Sequence, residues 1–135
     1  MREEKVGRKY DEKLDVKDIA KNIRAQLRKE FPKVRVSVRI DRYSGGQSID
    51  VFIIDAGFNP INPAWRPNDY SENPSSRYTP AGSALLDRIQ RIVDQYNYDS
   101  SDSTIDLYDV NYSTYIKYDM DFERRMMQKL GIKVE

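Results

Sequence analysis

Hydrophobic positions recur along this chain with two different periods, and each change of period marks a new element. Val16, Ile19, Ala20, Ile23, Leu27 and Phe31 are spaced three or four apart, which puts them on one stripe of a helix. Asp15 stands where an N-cap belongs, and Asp18 adds negative charge to the first turn. Pro32 stops the helix, because the residue before a proline avoids the helical region. The period then drops to two: Val34, Val36, Val38 and Ile40 alternate with Arg35, Ser37 and Arg39, the pattern of a half-buried strand. Turn-forming residues fill 41–47, and Ser48–Ile54 is expected to return as the second strand of a hairpin.

Between Asp55 and Pro80 no period survives. Five of the six prolines fall here (Pro60, Pro63, Pro67, Pro74 and Pro80), which excludes regular helix or central strand. Long loops inside compact domains are commonly functional, and Phe58, Trp65, Tyr70 and Tyr78 are candidates to pack parts of this one onto the domain. Helical spacing resumes from about Ala81 to Tyr96, capped by Thr79 or Ser83, with Leu85, Leu86, Ile89, Ile92, Val93 and Tyr96 on its apolar stripe. Residues 97–102 are turn-like, and Thr104–Val110 and Asn111–Tyr118 are expected to be extended. A short helix from about Asp121 to Leu130 ends at Gly131, a natural residue just past a helix C-terminus. No internal repeat or low-complexity tract is present.

These elements predict an α+β fold. A small antiparallel sheet, the β-hairpin plus one or two later strands, packs against two main helices, with a short C-terminal helix. Residues 1–14 mix charges with few apolar positions and are expected to form a flexible charged N-terminal arm. Residues 15–135 then make a single α+β domain carrying a Pro-rich loop at 55–80.

Composition narrows the chemistry. The chain has no histidine, which removes Ser-His and Cys-His nucleophilic pairs, imidazole bases and most transition-metal sites. It has no cysteine either, so it has no disulfide framework, which fits a cytoplasmic protein. No apolar run approaches a membrane span, and the first residues have no apolar signal segment. No cofactor is expected. Charge is unevenly placed: residues 1–40 carry 13 Lys/Arg against 7 Asp/Glu, about +6, and residues 41–135 carry 10 against 15, about −5. Such a chain can present a basic and an acidic face together, which favours charged partners.

Four features are candidates for function. Lys17, Lys21, Arg24 and Arg28 are spaced four, three and four apart and form one helical stripe about 100° from the apolar one. Lys33, Arg35 and Arg39 lie just beyond, and if the faces adjoin, the seven cations make a phosphate-backbone footprint. The plainer alternative is a solvated helix face, with the strand arginines paired to Asp50 across the hairpin. The Tyr43-Ser44-Gly45-Gly46-Gln47 turn joins two strands rather than opening a helix, so phosphate-loop logic does not apply, and its tip is a candidate partner contact through Tyr43. Asp99, Asp102, Asp106 and Asp109 supply oxygen ligands without the calcium-loop spacing; turn chemistry, a solvated acidic surface, or mimicry of nucleic-acid charge are the other readings. Tyr96, Tyr98, Tyr108, Tyr112, Tyr115 and Tyr118 suit either core packing or stacking on unpaired bases. Lys117 and Tyr118 are formally an acid/base pair, but nothing in the sequence places them in a pocket. In the 55–80 loop, Trp65, Arg66 and Tyr70 are the candidate partner-binding residues.

Two stretches carry a family resemblance. One is Asp18-Ile19-Ala20, Ile23-Arg24, Leu27 and Phe31-Pro32, continuing through Val36-Ser37-Val38-Arg39 and Tyr43-Ser44-Gly45-Gly46. The other is Ile92-Val93-Asp94-Gln95-Tyr96-Asn97-Tyr98-Asp99, with Ser101-Asp102 and Asp106-Leu107-Tyr108. Together they resemble a small domain of the large polyvalent protein-associated series, carried by phages and conjugative elements, and related stand-alone phage and plasmid proteins. The resemblance spans roughly 16–118 and leaves out the loop, which is longer than the short Gly-Pro link expected after the second strand. It implies an accessory module of mobile DNA and transfers no catalytic residue.

The function expected from these observations is a non-enzymatic accessory or interaction protein of a phage or mobile genetic element. Its partner would be nucleic acid or a host nucleic-acid-processing protein, reached through the basic N-terminal helix and strand face. The alternative is an anti-defence inhibitor that binds a host nuclease or effector through the acidic half and the 55–80 loop. A carboxylate-based, metal-dependent enzyme is a third class, for which no convergent site is visible in the sequence.

Overall fold

The computed structural model describes residues 5–7, 9, 15–99 and 112–133. The first helix, α1 (Val16–Glu30), begins where Asp15 accepts a hydrogen bond from the Asp18 N–H at 3.0 Å. That bond also holds the Asp15 carboxyl below its usual pKa range, since it favours the charged form. The stripe Val16, Ile19, Ala20, Ile23 and Leu27 is fully buried, and the Phe31 N–H closes the last turn on the Leu27 carbonyl.

Two long strands follow, β2 (Arg35–Tyr43) and β3 (Gly46–Asp55), paired antiparallel around the two-residue turn Ser44-Gly45. Pairing extends several residues further toward the turn than the alternation alone suggests, because Arg42 lies opposite Gln47 and Asp41 opposite Ser48. The faces separate cleanly. Val36, Val38, Ile40, Ile49, Val51 and Ile53 turn inward, while Ser37, Arg39, Asp50 and Phe52 turn outward.

The second main helix, α2 (Pro80–Asp94), starts at Thr79, whose hydroxyl accepts from the Gly82 N–H at 3.0 Å, with Pro80 in the first turn. Gly82 has a packing reason to be glycine: a Cβ there would stand 2.8 Å from both the carbonyl oxygen and the Cβ of Pro60. The Tyr118 hydroxyl donates to the Gly82 carbonyl at 2.8 Å, so loop, helix and sheet meet at one small residue.

The third strand of the main sheet, β5 (Ser113–Tyr118), runs parallel to β3, giving the order β2-β3-β5. The sheet is therefore mixed, where an all-antiparallel sheet was expected. The reason is connectivity: α2 lies between β3 and β5 in the chain, and a crossover through a helix returns the chain in the original direction. Lys5–Val6 (β1) pairs antiparallel with Tyr98–Asp99 (β4) as a separate two-stranded ribbon. The last helix, α3 (Met120–Lys129), is capped by Asp119, which accepts from the Asp121 and Phe122 N–H groups at 3.1 and 3.2 Å. Gly131 takes φ +73°, as expected just past a helix end, and Ile132 donates back to the Met127 carbonyl. The strand expected over 104–110 lies outside the described residues.

The segment from Ala56 to Thr79 is a loop closed at its neck. Ile61 and Tyr78 form an antiparallel bridge, the Asn62 N–H donates to the Arg77 carbonyl at 2.8 Å, and the Thr79 N–H to Pro60 at 2.8 Å. Among the described residues no helix is long and apolar enough to cross a membrane.

Candidate nucleic-acid interface

The basic stripe of α1 forms as its spacing dictates, and Lys17, Lys21, Arg24 and Arg28 are all exposed. Its C-terminal half leans over β2, an edge strand of the main sheet. There Arg24 Nη2 donates to the Val38 carbonyl at 2.7 Å, so this guanidinium also covers a backbone acceptor of the edge strand. Arg24, Arg28 and Arg35 rim a hollow of about 490 Å³ whose floor includes Phe31, Val34 and Val36. The Arg88 guanidinium, from α2, stands 4.6 Å over the Phe31 ring but is not part of the hollow's lining. Arg28 also faces the negative end of the α1 dipole, so part of its placement serves the helix.

The seven predicted cations are divided between surfaces. Arg24, Arg28 and Arg35 meet in the hollow, and Lys17 and Lys21 continue the same stripe toward the helix start. Lys33 sits in the turn after α1, where its carbonyl backs onto Gly57. Arg39 lies on the outer face of the sheet. Arg35 lines the hollow and Arg39 does not; the pairing register shifts beside Arg35, with the extra residue, Ile54, on β3.

On that outer face, strand register sets a small grid. Arg39, Asp50 and Tyr115 lie in one row, and Ser37, Phe52 and Lys117 in the next. Arg39 does not close an ion pair with Asp50; its guanidinium lies 5.4 Å over the Phe52 ring, with Nε donating to Ser37 Oγ at 3.4 Å. Lys117 Nζ approaches the same ring at 5.3 Å and the Tyr115 ring at 5.2 Å. Tyr115 is 57% exposed. The tyrosines near it in sequence have other roles. Tyr112 and Tyr118 are buried, donating to the Val93 and Gly82 carbonyls, and burial pushes both hydroxyls well above their ordinary pKa. Tyr96 is buried with its hydroxyl on Gln26, and its pKa is likewise raised by burial. Lys117 and Tyr118 project to opposite faces of β5, which rules them out as an acid/base pair.

The partner-binding candidates also divide. Tyr43, at the hairpin end, is half exposed and donates to Ser113 Oγ at 3.3 Å. Trp65 is half-buried beneath Arg77, whose guanidinium lies 4.8 Å from the indole. Arg66 spends its guanidinium on the Pro63 and Trp65 carbonyls, at 2.8 and 2.7 Å. Tyr70 alone of the three loop residues is free, 92% exposed. Asp102, Asp106, Asp109 and Tyr108 lie outside the described residues, and so do the side chains of Tyr98 and Asp99.

Phe52, Lys117 and Arg88 are residues that sequence reasoning missed as surface features. For Phe52 a signal existed, since it falls on the polar phase of the β3 alternation. For Arg88 there was none: its neighbour Phe31 lies far off in the chain.

A comparison with protein-family profiles matches residues 14–133 to the large polyvalent protein associated domain 29. The chain belongs to this family. The matched span extends across the 56–79 loop. Membership suggests a phage-associated protein. No curated protein and no solved structure matches the chain.

Proposed function

We propose that this domain is a non-enzymatic accessory protein of a phage or mobile element that associates with nucleic acid in the host cytoplasm. The observation that carries the reading is the hollow between α1 and β2, where Arg24, Arg28 and Arg35 converge with Lys17 and Lys21 along the same helix. Guanidinium groups match phosphate oxygens bidentately, and converging arginines release counterions when a backbone replaces them. Like charges brought together at a surface without a counter-anion repel one another, and among the described residues no carboxylate lines this hollow.

Fluorescence anisotropy on labelled oligonucleotides across a salt series tests it. Three phosphate contacts give a slope of log K against log salt of about −2 to −3. The double variant Arg28→Glu/Arg35→Glu reverses two of those charges and should abolish binding in a protein that stays folded, with only the small loss of stability expected of a carboxylate in the last turn of α1. Arg24 is unsuitable for that test because it also bonds β2. Binding retained in the double variant, or no binding at low salt, rejects the proposal.

A second reading, inhibition of a host nuclease or effector, has one observation in its favour. The loop is fastened at Ile61–Tyr78, and beyond that neck it presents Tyr70 almost fully exposed. A fixed loop with a free aromatic suits a protein contact. Tyr70→Ala should then remove capture of the effector without affecting oligonucleotide binding.

A further inference from the structure

We propose that the ligand is single-stranded nucleic acid, with unpaired bases stacking on the outer face of the β2-β3-β5 sheet. This inference rests on the nucleic-acid reading and names its substrate class. Among the described residues, α1 and α2 pack against the inner face, and no element lies over the outer one. That face has a composition which a merely solvated face does not need. Phe52 stands at its centre, Arg39 and Lys117 flank the ring at 5.4 and 5.3 Å, and Tyr115 lies exposed beside Lys117.

The chemistry selects the occupant. Tyr115 and the Arg39 guanidinium offer planar surfaces on which an unpaired base can stack. Arg39 and Lys117 attract phosphate on either side of Phe52. Asp50, between Arg39 and Tyr115, repels phosphate but accepts hydrogen bonds from base N–H groups. A ligand must therefore bring an anionic group to the cations and a planar N–H donor to the carboxylate. Nucleotides carry both and add an aromatic face on every unit for Tyr115 and Arg39 to stack on; an acidic peptide brings carboxylates and planar amide N–H groups but no such repeating face. A duplex hides its base faces, and among the described residues no helix packs on this face to enter a groove. Continuity favours a strand over a free nucleotide: β2 is an edge strand, and the arginine hollow runs along it with Ser37 of the outer face in its lining. A flexible backbone crossing β2 reaches both surfaces.

The experiment compares one labelled mixed-sequence 20-mer as single strand and as duplex, with a mononucleotide as competitor, using the full chain and its Tyr115→Ala and Lys117→Gln variants. Both side chains are at the surface, and unchanged circular dichroism and melting confirm the fold of each variant. The expected result is single-strand binding about ten-fold tighter than duplex binding. Tyr115→Ala should weaken single-strand binding at least about five-fold, the low end of what one base–aromatic stack contributes, and leave duplex binding unaltered. Equal affinity for both forms, or no effect of Tyr115→Ala on the single strand, overturns the sheet face as the site while the arginine hollow stands. A mononucleotide that binds as tightly as the 20-mer overturns the strand as ligand. No binding to either form at low salt removes both this inference and the reading beneath it.

Discussion

The Tyr78 hydroxyl donates to the Glu123 carboxylate, and this bond fastens the neck of the proline-rich loop to α3. Arg77 reaches the same carboxylate at 3.4 Å, the Glu123 side chain is only 12% exposed, and the Tyr78 ring tilts against Tyr118 at 5.2 Å. Tyr78→Phe keeps the ring contact and deletes the donor. A nearly buried carboxylate oxygen then loses a partner, at a cost of about 1–3 kcal/mol. The expected result is a melting temperature several degrees lower, with a red shift of the single tryptophan, Trp65, as the loop loosens. An unchanged melting temperature and spectrum would mean that the backbone bridge at Ile61 holds the loop without this bond.

The same group makes alkaline stability informative. Burial, reinforced by the Glu123 carboxylate, pushes the Tyr78 hydroxyl up to about 12, and burial raises Tyr112 and Tyr118 in the same direction. A tyrosine raised above its unfolded value, near 10, binds its proton more tightly in the folded state. Its contribution is therefore complete below about pH 10 and is lost as the pH climbs toward and past 12. Stability by chemical denaturation should be level from neutrality to about pH 10 and then fall. Absorbance titration at about 295 nm should show the tyrosinate signal of Tyr78, Tyr112 and Tyr118 developing only well above pH 10. A stability plateau that extends to pH 12 would contradict the assignment.

The helices and the hairpin were legible because each is locally determined. Asp15, Thr79 and Pro32 carry their boundary signals within a turn, and Val34 to Ile40 alternate without a break. Parallel pairing of β5 with β3 was not legible, since nothing in Ser113–Tyr118 states the direction of its neighbour; the intervening α2 decides it. The basic helix stripe was readable from spacing alone. That Arg35 would join the hollow and Arg39 would not was not readable, because both fall on one phase of the β2 alternation. Lys117 and Phe52 meet only through that parallel register, so their partnership could not be read before the topology was known.

Gly82→Ala sets two effects of opposite sign against each other. Alanine improves intrinsic helix propensity by about 0.8–1.0 kcal/mol. The added methyl would meet the Pro60 carbonyl oxygen and Cβ at 2.8 Å, closer than van der Waals contact allows. One of those atoms is backbone, and the Thr79–Pro60 hydrogen bond holds it in place. Overpacking at about 1–3 kcal/mol should prevail, so the variant should melt lower than the parent. A higher melting temperature would show that the loop yields at Pro60.

Arg24 and Arg28 are neighbours on one stripe with different loads, and two single variants separate them. Arg24 donates to the Val38 carbonyl at 2.7 Å, whereas no hydrogen bond or ion pair is formed by Arg28 among the described residues. Arg24→Ala should destabilise the fold by about 0.5–1.5 kcal/mol, the usual net value of one such bond, and uncover a carbonyl on the edge of β2. Arg28→Ala should leave stability within about 0.5 kcal/mol, as surface substitutions do. Oligonucleotide affinity should fall in both, and each should flatten the salt slope by about 0.7–0.9, one phosphate contact. Denaturant titration beside anisotropy reads the two quantities on the same samples. Equal stability losses would show that Arg24 is not the covering group of the edge strand; an unchanged salt slope in Arg28→Ala would remove that residue from the interface.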